Sequence, residues 1–252
     1  MSAMKSVGVT PKAFQMAGLE PSKYRRKPSV LLPIGVVALF GLWAVAIMLN
    51  SGSDDRAAII NLVQLGGLML PLLIGSSVLI LVGEDTNTNM TSRAQSLGIA
   101  LPEIGFAKAL WALAAGFSGL LAITVCTVVA GHAVGITPPG NSMVIVLFAL
   151  AAEIVCLVPA FLNIALRKRG QGLVLALSLG GALLGSAGHF LPQHAAALTP
   201  FTFAGALTPA RINQDGIYDV SFSVALPIIV LTVTVIVCAF SIAFFPRRVH
   251  ND

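Results

Sequence analysis

Long apolar stretches alternate with short polar segments along most of the chain. A helix needs about 20 apolar residues to cross the hydrocarbon core of a bilayer. Six stretches are close to that length or longer, and they are the predicted membrane spans: 30–49, 57–82, 105–130, 143–166, 173–190 and 222–245. The pattern therefore predicts an all-α, polytopic membrane protein with six transmembrane helices.

The basic residues give these predicted spans an orientation, because segments rich in Lys and Arg stay on the cytoplasmic side. All of the 15 Lys and Arg residues except Arg56 and Arg211 lie before the first span, after the sixth, or in the second and fourth connections. We therefore predict that both termini are cytoplasmic. The predicted location is the bacterial cytoplasmic membrane, with multiple passes.

Composition supports a membrane protein. With 56% hydrophobic and 10% charged residues, the 252-residue chain has too little polar surface to coat a soluble globule. The net charge of +5 follows from the basic connections, so we interpret these residues as contacts for membrane lipids and not for nucleic acid. The three cysteines and four histidines lack the spacing of a zinc site, and no metal site is expected.

The first 28 residues form a separate region before the membrane domain, which we place at 29–252. They mix apolar and basic side chains, which is typical of a segment lying at the interface with its basic side toward head groups. An ordinary basic flank is the alternative. No short apolar region with a cleavage site precedes the first span, so we expect that span in the mature protein.

The connection at 83–108 is strongly polar in its first half and is predicted to be cytoplasmic. Glu84 and Asp85 are expected to begin a short helix, where carboxylates favour the positive end of the backbone dipole. Thr86 is a candidate to cap its exposed amides. Apolar residues follow, and Lys108 is expected to anchor the start of the third span at the membrane surface.

This organisation resembles the type-2 class of ABC exporter permeases, in particular the permeases of lantibiotic immunity and bacitracin-type peptide resistance exporters. The resemblance covers nearly the whole chain. It consists of an amphipathic N-terminal segment, six spans, a polar cytoplasmic helix after the second span, and a long outer connection before the last. The positions that match the family's loop pattern are Glu84, Asn89, Ser96, Leu97 and Lys108, and Gly98 stands where the family usually has Pro.

The resemblance implies a permease subunit that assembles with ABC ATPase subunits and a second permease copy or paralogue. The chain has no GxxxxGK[ST] phosphate-binding loop, so we expect ATP and Mg²⁺ in the partner ATPase and no cofactor on this chain. Solvated loop residues with no partner are the alternative for the polar positions. The candidate ATPase-coupling residues are Glu84, Asp85, Thr86, Asn89, Arg93, Gln95, Arg167 and Arg169.

The outer connection, 191–221, is too apolar to be a simple solvated linker. It carries three prolines and several aromatic residues but only three charges, a composition that favours short helices dipping toward the membrane surface. We expect this connection to cap the outer exit. A structural lid and a substrate-binding surface both remain open for it.

Glu153 is the acidic residue nearest the middle of a predicted span. Such groups are costly in a membrane and are often functional. It could line a substrate path, hydrogen-bond a polar group on another span such as Gln64 or Asn61, or take part in proton movement.

A glycine cluster marks the fifth span and its outer end. Glycines let helix backbones approach closely, so we predict helix packing here, with a seam between two permeases as the alternative. The four residues are Gly180, Gly181, Gly185 and Gly188.

The resulting hypothesis is a permease that exports amphipathic antimicrobial peptides or drugs and is not itself an enzyme. The sequence shows no paired acids, HExxH helix or Ser/His constellation at a workable spacing. Two alternatives remain: an accessory or assembly subunit that does not transport, and a proton-coupled secondary transporter.

Overall fold

The computed structural model describes residues 31–50, 55–87, 90–96, 99–136, 140–167, 170–213, 216–219 and 223–245. The predicted interfacial segment at 1–28 lies outside these residues. Helices make up most of the described chain: α1 (Leu31–Asn50), α2 (Asp55–Asn87), α3 (Met90–Ser96), α4 (Leu101–Ala133), α5 (Gly140–Ala165), α6 (Gly170–Ser186), α7 (Gln193–Ala196), α8 (Phe203–Leu207) and α9 (Ala225–Ala243).

Five of the described helices, α1, α2, α4, α5 and α9, are long and apolar enough to cross a membrane. The chain is therefore a multi-pass membrane protein, as predicted. The remaining predicted span coincides with α6, which is apolar but has 17 residues. A helix of that length extends about 25 Å, at the lower limit for crossing a hydrocarbon core.

Helix α2 lies at the centre of the bundle. It packs against α1, α4, α5 and α6. In its most apolar stretch 72% of the residues are buried within the protein, against 22% in the corresponding stretches of α1 and α9. Mean hydropathy does not explain this difference, since α1 and α9 are at least as apolar as α2; the central position of α2 does.

Two helix boundaries differ from the prediction. Helix α2 continues to Asn87, so Glu84 and Asp85 lie in its last turns and do not begin a short helix. Helix α4 begins at Leu101, earlier than predicted, where Glu103 Oε2 accepts a hydrogen bond from the Ala100 backbone N–H at 3.1 Å. Such a bond satisfies an otherwise free amide at a helix start.

The outer connection folds into short elements, which confirms the prediction of short helices. Besides α7 and α8, it contains 3₁₀ turns at Gly188–Phe190 and Pro200–Thr202. It also contains an antiparallel hairpin of β1 (Ala210–Asn213) and β2 (Gly216–Asp219), which was not predicted. Helix α8 is buried and packs against α2, α5, α6 and α9, so this connection reaches into the bundle.

The two ends of the bundle are distinct. We call the end that carries Asp85, Lys108 and Arg167 the charged end. A Cβ placed on Gly105 would lie 2.2 Å from the ring of Phe245, so the start of α4 and the end of α9 meet there. We call the opposite end, covered by residues 188–219, the capped end.

Candidate functional site

A buried ion pair joins α2 to α4 at the charged end. Lys108 Nζ lies 2.8 Å from Asp85 Oδ2, and the two side chains are 0% and 5% exposed. Lys108 also donates a hydrogen bond to the Leu81 carbonyl, and a cation is favoured at the C-terminal end of a helix such as α2. The prediction that Lys108 anchors at the membrane surface is therefore wrong, because both charges are enclosed and compensate each other.

Helix α3 connects the two helices that this ion pair holds together. It contacts both α2 and α4. Its C-terminal end is closed locally, since Ser96 Oγ donates to the Arg93 carbonyl at 2.7 Å and the Ile99 N–H donates to the Ala94 carbonyl at 3.0 Å. We call α3 and the Asp85–Lys108 pair the elbow.

The candidate coupling residues occupy different surroundings in the elbow. Arg93 is exposed, and Gln95 and Glu84 are half-buried. Asp85 is buried in the ion pair and presents little surface to a partner. Thr86 lies in the last turn of α2, and Asn89 lies outside the described residues. Arg93 is thus the most accessible candidate in the elbow, and Arg167 is the other exposed one among the described candidates.

Arg167, another candidate coupling residue, ties the end of α5 to the end of α9. Arg167 Nη2 donates to Asn163 Oδ1 at 3.2 Å and to the Phe244 carbonyl at 3.3 Å. Asn163 Nδ2 donates to the Ser241 carbonyl at 3.2 Å. These contacts satisfy carbonyls at a helix end, which lack partners within the helix. Asn163 was not among the predicted residues, and Arg169 lies outside the described ones.

Glu153 is fully enclosed in α5. Its side chain is 0% exposed, and among the described residues neither carboxylate oxygen has a hydrogen-bond partner. The predicted possibility of a hydrogen bond to Gln64 or Asn61 is therefore wrong. Gln64 Nε2 instead lies 3.1 Å from His189 Nε2, and the Asn61 amide finds no partner in the part of the chain that is described.

Glu153 and Gln64 therefore lie in separate settings, and the three residues of the predicted substrate path form no mutual hydrogen bond within the described structure. Gln64 joins α2 to the 3₁₀ turn that carries His189, at the capped end. His189 was not predicted as a site residue. Its position at the outer end of a glycine-rich predicted span, next to the connection predicted to be a cap, was the signal in the sequence.

Close backbone contacts complete the capped end. A Cβ on Gly185 would lie 2.2 Å from the Gly67 carbonyl oxygen, and one on Gly205 would lie 2.3 Å from the backbone of Gly188. A Cβ on Gly181 would lie 2.2 Å from the Phe201 ring. The packing role predicted for the glycine cluster is confirmed at Gly181 and Gly185, where only a hydrogen fits. Gly188 is contacted closely by Gly205, whereas a Cβ on Gly180 would meet nothing within 4 Å.

No group of three or more His, Cys, Asp or Glu residues suited to a metal ion occurs in the described ranges. The chain matches no protein-family model, and no curated protein and no solved structure is significantly similar to it. The geometry of the elbow, the cap and Glu153 therefore has to support any functional proposal by itself.

Proposed function

We propose that this chain is the membrane-spanning permease subunit of an ABC exporter of the type-2 class, driven by a separate ATPase. In this proposal six helices cross the bacterial cytoplasmic membrane, with α6 as the shortest span and the charged end in the cytoplasm. The cargo is an amphipathic antimicrobial peptide or drug, and a second permease copy or paralogue completes the pore.

The elbow is the observation that carries this proposal. An ATPase outside the membrane can move the transmembrane helices only through a rigid contact with them. Helix α3 contacts both α2 and α4, and the Asp85–Lys108 pair joins those two helices to each other. A force that the ATPase applies to α3 at Arg93 or Gln95 would therefore be transmitted to α2, the most enclosed helix of the bundle.

The charge distribution supports the proposed orientation. Arg93, Lys108 and Arg167 lie at the charged end, and the described part of the opposite end carries Arg56 and Arg211. Positive residues are retained on the cytoplasmic side. An ATPase in the cytoplasm would then meet the exposed face of the elbow.

Glu153 favours a second candidate, a proton-coupled secondary transporter. A buried carboxylate in a membrane span is a common feature of proton relays. The two candidates differ in their energy source. Export that stops when ATP is depleted and persists with an uncoupler supports the ATPase-driven permease, and the opposite response supports the secondary transporter.

Purification of the full-length chain from its native host tests the main proposal. We expect an ATPase with a phosphate-binding loop to co-purify in stoichiometric amount, and addition of the permease to stimulate its ATP turnover. Deleting the gene should sensitise cells to a lantibiotic or bacitracin-like peptide. Absence of both the ATPase and the stimulation would leave an accessory subunit as the better description.

Cysteine labelling in intact cells tests the orientation separately. Arg93→Cys should react with a membrane-impermeant thiol reagent only after the cells are opened. Phe190→Cys, at a side chain that is 63% exposed at the capped end, should react without opening. The parent protein is the control for the native cysteines Cys126, Cys156 and Cys238. Reaction of Arg93→Cys from outside would reverse the orientation and remove the basis for a cytoplasmic motor.

A further inference from the structure

Glu153 is costly to bury and has no compensating group in the described structure. An ionised carboxylate removed from water is stable only opposite a cation or several hydrogen-bond donors. Neither oxygen of Glu153 has such a partner among the described residues. The residues one turn before it and next to it, Ala149 and Ala152, are small and buried. On α5, Glu153 thus lies next to small apolar side chains, with Cys156 as its polar neighbour one turn later.

Helix α9 lies beside this stretch of α5. Cys156, one turn after Glu153 on the same side of α5, hydrogen-bonds Thr234 of α9. Cys238 Sγ of α9 approaches the Val155 carbonyl at 3.5 Å. Both contacts place α9 directly beside this stretch of α5.

A narrow stripe of side chains holds α9 in place. The buried residues of α9 are Leu226, Val230, Thr234 and Ser241, which fall along one face of the helix. The other faces carry exposed apolar side chains such as Ile228, Leu231 and Val235, suited to lipid. A helix attached along one stripe can separate from α5 at its middle with the loss of few contacts.

We infer that Glu153 is a binding site for a lipophilic cation that reaches it from the membrane between α5 and α9. The apolar side chains beside Glu153 would contact the hydrophobic part of the ligand, and the Glu153 carboxylate would pair with its positive charge. This inference rests on the proposed export function and narrows the cargo to amphipathic molecules in which a positive charge lies next to apolar surface.

Tetraphenylphosphonium and tetraphenylborate are matched probes, because they share shape and apolar surface and differ in the sign of their charge. Binding is measured by equilibrium dialysis to the full chain in nanodiscs, with empty nanodiscs subtracted. We expect tetraphenylphosphonium to bind and tetraphenylborate not to bind. Glu153→Gln should weaken binding of the cation by about tenfold or more, since it removes the charge and keeps the shape.

Glu103→Gln is the matched control, since Glu103 lies at the start of α4 at the charged end, whereas Glu153 lies in the middle of α5, and it should bind the cation as the parent does. Glu153→Asp keeps the charge and should retain part of the affinity. Equal affinity of the parent and Glu153→Gln would overturn the inference. It would also fail if Glu153→Gln lowered the melting temperature in parallel with binding, because the carboxylate would then serve packing.

A cross-link between Cys238 and Val155→Cys tests the proposed route. Closing α9 onto α5 with a short, reducible bifunctional thiol reagent should slow uptake of the cation, and reduction should restore it. Unchanged uptake in the cross-linked protein would contradict access between these helices. ATPase recruitment by the same samples separates the two proposals: loss of cation binding with recruitment intact refutes only the site, and binding without recruitment refutes only the ATP-driven export.

Discussion

The charged end and the capped end of the bundle are closed by different chemistry. At the charged end, Asp85 and Lys108 are paired out of contact with water, and Lys108 also holds a helix carbonyl. At the capped end, glycine backbones touch, and a hydrogen bond joins Gln64 to His189. The charged end is thus held together by an ion pair, and the capped end mainly by close packing.

This difference indicates which end can open. Separating a buried ion pair leaves two charges without compensation in a medium of low dielectric constant, which is strongly unfavourable. Separating closely packed surfaces loses dispersion contacts and hydrogen bonds, each of modest size. We therefore expect the charged end to move as one rigid body during transport. The capped end is expected to open.

The largest expected effect is at Lys108. Lys108→Met leaves the Asp85 carboxylate buried without its cation, and we expect a loss of about 3–5 kcal/mol in the free energy of unfolding. Denaturation by SDS in mixed micelles provides the measurement. The double variant Asp85→Asn/Lys108→Met, which removes both charges, should recover most of this loss. If the double variant is as unstable as the single one, the two side chains are not energetically coupled.

The variant Gly185→Ala tests the close packing at the capped end. Its added methyl group in Gly185→Ala would overlap the backbone of α2 at Gly67, so we expect a loss of about 1–3 kcal/mol. Gly180→Ala on the same helix is the control, since a Cβ there meets nothing within 4 Å, and it should be neutral or slightly stabilising. Equal stability of the two variants would show that α2 and α6 are not in close contact.

A smaller effect is expected from the bond between Gln64 and His189. A double-mutant cycle with Gln64→Leu and His189→Leu should give a coupling of about 0.5–1.5 kcal/mol, the usual size for a neutral hydrogen bond. A coupling near zero would remove this bond from the closure of the capped end. A coupling as large as that of the ion pair would erase the distinction between the two ends.

The smallest effect is expected at Arg167, whose side chain is exposed. Arg167→Leu removes its bond to the Phe244 carbonyl and should cost less than about 1 kcal/mol, because water replaces part of the contact. Hydrogen exchange of the amides at 241–245 should become faster. Arg93→Leu, on the exposed surface of α3, should leave that exchange unchanged.

The helices could be predicted from the sequence because apolar length alone decides which segments can enter a membrane. The partners of polar residues could not. Glu84 and Asp85 looked like a helix start because they follow an apolar stretch, yet α2 continues through them with its own backbone hydrogen bonds. The burial of Lys108 depends on a carboxylate 23 positions earlier in the chain, and hydropathy carries no information on such pairing.

The cap was predictable in part. Its prolines and aromatic residues indicated short helices, and these are present. The hairpin of β1 and β2 was missed, although residues 213–216 read Asn-Gln-Asp-Gly, a composition typical of a tight turn between strands. The sequence gives no information on which buried group faces Glu153. Residue spacing along one helix does not show which side of it the neighbouring helices occupy.

Photo-cross-linking from the elbow tests the central claim most directly. A photoreactive benzoyl-phenylalanine replaces Arg93, and a matched one replaces the exposed Leu198 at the capped end. In the complex purified from the native host, we expect the elbow position to form an adduct with the ATPase and the capped position to form none. An ATPase that co-purifies but reacts only at the capped end, or at neither position, would contradict coupling through the elbow.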